Sequence, residues 1–204
     1  RIAVFQKLFV SFALTAAVAM AHAQATPDAL VKQISTDVLE TVKNDKSIQA
    51  GDIAKITALV DSKVMPSVNF EAATRSAVGP QWRGASPEQR TKLMSEFKTL
   101  LLRLYSGALT QVKDQSVEIT KTLPVQGSTQ VIVQSEVRGK GEPIKLDYRL
   151  DKPADATAWK IIDVNVGGIW LVQNYRSQFA TELTKGGIDG LINALVERNK
   201  AAAK

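Results

Sequence analysis

The chain has 204 residues, with 26 Lys or Arg, 20 Asp or Glu, one His and no Cys, for a formal charge of +6. There is no thiol for a disulfide or a nucleophile, and the one histidine is His22. Beyond that position Ser-His and Cys-His catalysis and ordinary zinc sites are excluded, and no run of five like charges calls for a polyanion.

Residues 1–23 read as a secretory signal peptide. Arg1 and Lys7 lead into an apolar run from Leu8 to Met20, and Ala21-His22-Ala23 forms an A-x-A cleavage site. The run is too short to span a bilayer comfortably. Without the two basic residues of this segment the formal charge falls to +4. Residues 24–204 are then expected to form one packed domain.

Thr26-Pro27-Asp28 is a helix-start signal, and Leu30, Ile34, Val38 and Val42 predict one inward face over 29–42. A second helix is expected over 52–63, with Ile53, Ile56, Leu59 and Val60 inward, broken by Met65-Pro66. A short third helix is expected over 70–78. The clearest helix follows: Ser86 caps it, Pro87 opens it and Gln89 completes a capping box. Leu93, Phe97, Leu101, Leu104 and Ala108 line one face, widened by Met94, Tyr105 and Leu109, which predicts a helix crossing the centre of the fold.

The apolar period then changes from helical to two. Val117, Ile119, Leu123 and Val125 alternate imperfectly; Val131, Val133, Ser135 and Val137 alternate with polar neighbours; Ile144, Leu146, Tyr148 and Leu150 alternate cleanly. Residues 159–166 make a fourth strand, with Ile162, Val164 and Val166 on one face. Short connections predict one antiparallel sheet with a single buried face. Gly167-Gly168 ends it, and a helix is expected over 169–183 with Val172, Tyr175, Phe179 and Leu183 inward. Gly186-Gly187 separates that helix from a last one carrying Ile188, Leu191, Ile192, Leu195 and Val196. The fold class is α+β: helices, a four-stranded meander, and helices that return over the sheet.

Three kinds of chemistry fit these residues. Asp147 and Asp163 could form an acid–base pair, although both sit on the polar side of their strands and no His assists them. Trp82-Arg83, Arg103-Leu104-Tyr105 and Tyr175-Arg176 pair aromatics with arginine, as base stacking or as core aromatics with arginines at the rim. If the wide helix stripes stand off the sheet, the gap is an apolar pocket, and arginines at its mouth could meet a phosphate.

Two segments carry a family resemblance. GPQWRGASPEQRTKLMSEFKTLLLRLYSGAL and WKIIDVNVGGIWLVQNYRSQFATELTKGGIDGLINAL resemble the MlaC, or toluene-tolerance auxiliary, family, with N-Y-R-S-Q-F the more specific motif. The chain departs from the family's V-x-G-x-S pattern at Gly168-Ile169-Trp170. The resemblance implies an NTF2-like fold whose four-stranded meander and covering helices enclose an apolar cavity for phospholipid tails. It implies a carrier in the periplasm that needs no cofactor, with phospholipid as cargo. Its partners would be an outer-membrane lipoprotein–porin complex and an inner-membrane ABC transporter with an MCE-domain ring. On that reading Leu101, Tyr105, Val131, Val133, Leu146, Tyr148, Ile162, Val164, Val172, Tyr175 and Phe179 would line the cavity, and Arg176 and Arg103 would stand near the headgroup. A small exported enzyme of the same fold and a periplasmic chaperone or scaffold with a filled core are the rival readings.

Overall fold

The computed structural model describes residues 24–203, so the expected signal peptide at 1–23 lies outside the described residues. Helix α1 (Pro27–Asn44) starts where Thr26-Pro27 predicts and buries Val31, Leu39 and Val42. The expected helix over 52–63 is shorter and less regular. A four-residue α2 (Lys46–Gln49) precedes it, and α3 (Ile53–Leu59), capped by Asp52, passes into a π-turn at Val60–Val64 and a 3-10 turn at Met65–Ser67. Helix α4 (Phe70–Val78) matches its expected span.

Helix α5 (Pro87–Tyr105) carries the expected capping box. Gln89 N–H donates to Ser86 Oγ at 3.1 Å, and Ser86 N–H donates to Gln89 Oε1 at 2.8 Å. The helix tightens into a 3-10 turn at Ser106–Gln111.

The sheet has five strands in the order β1-β2-β3-β4-β5, all antiparallel: β1 (Ser116–Pro124), β2 (Gln130–Arg138), β3 (Ile144–Asp151), β4 (Lys160–Val166) and β5 (Ile169–Trp170). The fifth strand corrects the expectation of four, and it takes its residues from the start of the expected helix. Gly167 and Gly168 have φ of 59° and 87°. Two consecutive positive φ values suit the primed turns that close two-residue hairpins, so the chain reverses and pairs once more before it coils. Helix α6 (Leu171–Ala202) follows and kinks at Gly187, as the Gly-Gly pair predicts.

A register shift in β4 changes which residues point inward. Leu150 pairs with Ile161 and Arg149 with Asp163, which leaves Ile162 as the extra residue. Ile161, at 5% exposure, takes the core position expected of Ile162.

Three apolar clusters hold the layers together. Val31 of α1 packs with Val133, Leu150 and Ile161 on the sheet. Helices α4, α5 and α6 share a second core around Phe97, Tyr175, Phe179 and Leu191. Val42, Ile48, Ile56 and Leu59 tie the end of α1 to α2 and α3.

Candidate functional site

The inward row of β3 runs Ile144, Leu146, Tyr148, Leu150, and its burial changes steadily along the strand. Leu150 is 0% exposed and Ile144 is 55% exposed, with Leu146 and Tyr148 half-buried between them. The register places Val131, Val133 and Ser135 of β2 beside Leu150, Tyr148 and Leu146. On the other side stand Ile161, Val164 and Val166 of β4. Helix α1 covers the Leu150 end. The Tyr148 hydroxyl reaches Ser35 of α1, and burial pushes its phenol above the usual range. Toward the other end cover is lost, and Ile169, paired with Val166, is 53% exposed.

The helix layer mirrors this. Leu93, Phe97 and Leu100 of α5 are buried, yet Leu104, one turn further along the same stripe, is 56% exposed. Helix α5 packs mainly on α6 and α4. Each layer therefore carries apolar side chains that are left exposed, and neither row has the polar character of an ordinary solvent face.

A cleft of about 780 Å³ opens between α3 and α5, a size in the range of about 300–1,000 Å³ typical of pockets for one small ligand. Ile53, Met65, Phe70, Met94 and Leu102 supply apolar lining, and Ser95, Lys98, Thr99 and Arg103 supply polar groups. Lys98 is ion-paired with Asp61 of the π-turn.

The expected site residues fall into separate groups. Val131, Val133, Tyr148 and Val164 belong to the sheet cluster under α1, with Leu146 beside them. Leu101 and Val172 are half-buried against the helix core, and Tyr105 is 38% exposed at its end. Tyr175 and Phe179 are buried within the helix core, each with its ring centroid 5.2 Å from that of Phe97. Ile162 is displaced from the sheet cluster by Ile161. Arg176 is exposed, with its guanidinium lying against Gly79. Arg103 is the one expected site residue that lines the α3–α5 cleft. The α3 side of that cleft was missed because Ile53, at an apolar helical position, reads as core; it is 46% exposed.

The two aspartates do not form a pair. Asp163 Oδ1 accepts from Val164 N–H at 2.8 Å and from Val172 N–H at 2.9 Å, which caps α6. Burial raises its carboxyl above the ordinary aspartate value against the lowering effect of these bonds. Asp147, adjacent to Tyr148 on β3, lies on the opposite face of the sheet from the inward row. The aromatic–arginine motifs also resolve: Trp82 is buried in the helix core, with the Arg90 guanidinium 5.2 Å from its ring centroid. Among the described residues no group of three or more His, Cys, Asp or Glu is placed to hold a metal, and no helix is long and apolar enough to cross a membrane.

The family model for MlaC protein matches residues 32–197. The chain belongs to the MlaC family. The intermembrane phospholipid transport system binding protein MlaC of Haemophilus influenzae is 25% identical over 177 residues, covering 86% of this chain and 83% of that protein. The toluene tolerance protein ttg2D of Pseudomonas putida is 23% identical over 184 residues, covering 87% and 85%. A phospholipid-binding protein from Ralstonia solanacearum, solved in complex with a phospholipid, is 40% identical with a TM-score of 0.83. That similarity covers 88% of this chain and all of the other. Membership of the MlaC family thus rests on nearly the whole described chain.

Proposed function

We propose that this protein is a periplasmic phospholipid carrier that moves lipid between an outer-membrane lipoprotein–porin complex and an inner-membrane ABC transporter with an MCE-domain ring. The observation that carries the reading is the 40% identical Ralstonia solanacearum structure, which holds a phospholipid and matches this chain over 88% of its length. The inward row of β3 supports it, because its apolar residues pass from buried at Leu150 to exposed at Ile144. Acyl tails would lie along Leu146, Tyr148, Val131, Val133 and Val164, and meet Leu101, Tyr105 and Val172 from the helix side.

The physical need is large. A diacyl lipid carries on the order of 30 methylenes, and at ~0.8 kcal/mol each their exposure to water costs ~20 kcal/mol or more. Unassisted crossing of an aqueous gap is correspondingly slow. A carrier offsets most of that cost with apolar wall and needs no nucleophile, metal or cofactor to do so. Direction must come from differential binding at the two ends, since affinity alone sets none.

A transfer assay tests the reading. Donor vesicles with a labelled phospholipid and unlabelled acceptors are separated by a membrane that passes protein but not vesicles. Transfer should rise in proportion to protein concentration; transfer no faster than the protein-free blank would contradict the carrier role.

A further inference from the structure

The two walls of the α3–α5 cleft belong to different packed units. Helix α3 buries Ile56 and Leu59 with Val42 of α1 and Ile48 of α2. Helix α5 buries Leu93, Phe97 and Leu100 with residues of α4 and α6. Past the end of α5 the units join, because Leu109 and Val112 pack against the α3 group. The chain reaches that junction through the 3-10 turn at Ser106–Gln111, which buries none of its residues.

Across the cleft the tie is one ion pair. Lys98 lines the cleft from α5 and pairs with Asp61 of the π-turn. Among the described residues no other hydrogen bond or ion pair joins α3 or its π-turn to α5. The π-turn buries none of its residues, and neither does the 3-10 turn at Met65–Ser67. A segment with so few buried contacts moves at low cost. The lining between the walls is largely apolar, and Phe70 and Met94 also pack on the helix core around Phe97. Spreading α3 from α5 therefore opens an apolar path from solvent toward that core. A partly exposed ion pair is weak, which suits a tie that must part at each loading.

We propose that Lys98 and Asp61 clasp a tail-entry portal between α3 and α5, and so set the rate of lipid exchange. This rests on the phospholipid-carrier reading and goes beyond it, since it assigns a route and the two residues that control it. In this role the pair touches no headgroup; it acts by holding the walls together.

The test uses the full chain loaded with a fluorescent phosphatidylethanolamine, and follows release to excess phosphatidylcholine vesicles, whose zero net charge keeps salt from altering their attraction for the protein. Lys98→Met and Asp61→Asn should each exchange lipid about 2- to 5-fold faster, the weight of an exposed ion pair, with equilibrium retention within about 2-fold of wild type. Swapping the charges in Asp61→Lys/Lys98→Asp should restore the wild-type rate, which a merely structural role would not do. Wild-type exchange should quicken as salt screens the pair, and exchange by the single variants should not. Because the chain has no other cysteine, Asp61→Cys/Lys98→Cys can be bridged by a short bismaleimide. The bridged protein should exchange about 10-fold or more slowly than the same protein unbridged. Equal rates with and without the bridge would overturn the portal. Single variants at the wild-type rate would overturn the clasp. If those variants do not melt cooperatively, wild-type exchange that ignores salt would overturn it instead. A wild type that takes up no phospholipid at all would defeat the carrier reading itself.

Discussion

The carboxylate of Asp163, on the fourth strand, accepts the N–H of Val172 in the first turn of α6 at 2.9 Å. One strand residue thereby fixes where the last helix leaves the sheet. Burial outweighs the hydrogen bonds and the nearby Arg149, and raises the Asp163 carboxyl. A raised folded-state pKa means that the fold favours the protonated form. That contribution is complete below the unfolded value, about 3.9, and is lost as pH rises through the raised one. Asp163→Asn keeps an acceptor for Val172 and carries no charge. Thermal melts should show the variant above wild type near neutral pH, with the gap narrowing as pH falls through the raised value and closed below about 4. A wild type that leads at neutral pH and loses its lead in acid would mean that the helix N-terminus, which favours an anion, outweighs burial.

Leu146 and Leu150 share one face of β3 but should respond differently to substitution. Leu150 is fully buried under α1, so Leu150→Ala should cost about 2–5 kcal/mol of stability. Leu146 is half-buried where helix cover thins. Leu146→Asp should leave a cooperative melt within several degrees of wild type yet reduce phospholipid retention about 10-fold or more, measured by extraction from the purified protein. Retention unchanged in a folded Leu146→Asp would remove this row from the lipid path.

The two glycines in the middle of α6 should also separate. Gly187 has φ 64° and ψ −155°, a region open essentially to glycine alone. Gly187→Ala should therefore destabilise by about 1–3 kcal/mol. Gly186 has no such conformation, and nothing lies within 4 Å of a Cβ built there. Gly186→Ala should be neutral or stabilise by up to about 1 kcal/mol. Equilibrium denaturation measures both, and equal effects would mean that the kink does not depend on Gly187.

The elements legible in the sequence were those whose signal is local. The Ser86-Pro87-Gln89 capping box places the start of α5, and the alternation from Ile144 to Leu150 gives β3 and its inward face. Features that break a period were not legible. The slip at Ile162 moves the inward role to Ile161, and no alternation pattern contains an instruction to skip one residue. Gly167-Gly168 predicts an end to the sheet because glycine punctuates in several ways; only the flanking Val166 and Ile169, which pair, mark it as a hairpin. The cleft was the hardest feature. Periodicity shows that Ile53 shares a stripe with core residues, but not that it stays exposed on the cleft wall. A stripe wider than one helix contact needs is the available signal on α5, and by itself it predicts a central helix. The resemblance puts Arg103 and Arg176 together near the headgroup; that Arg103 lines the α3–α5 cleft while Arg176 lies exposed against Gly79 is visible only in three dimensions.

Native mass spectrometry of the protein purified without detergent tests the central claim most directly. The account predicts a dominant species heavier than the polypeptide by the mass of a diacyl phospholipid, with the lipid released on collisional activation and identified by its fragments. A single species at the bare polypeptide mass, from protein that melts cooperatively, would contradict it.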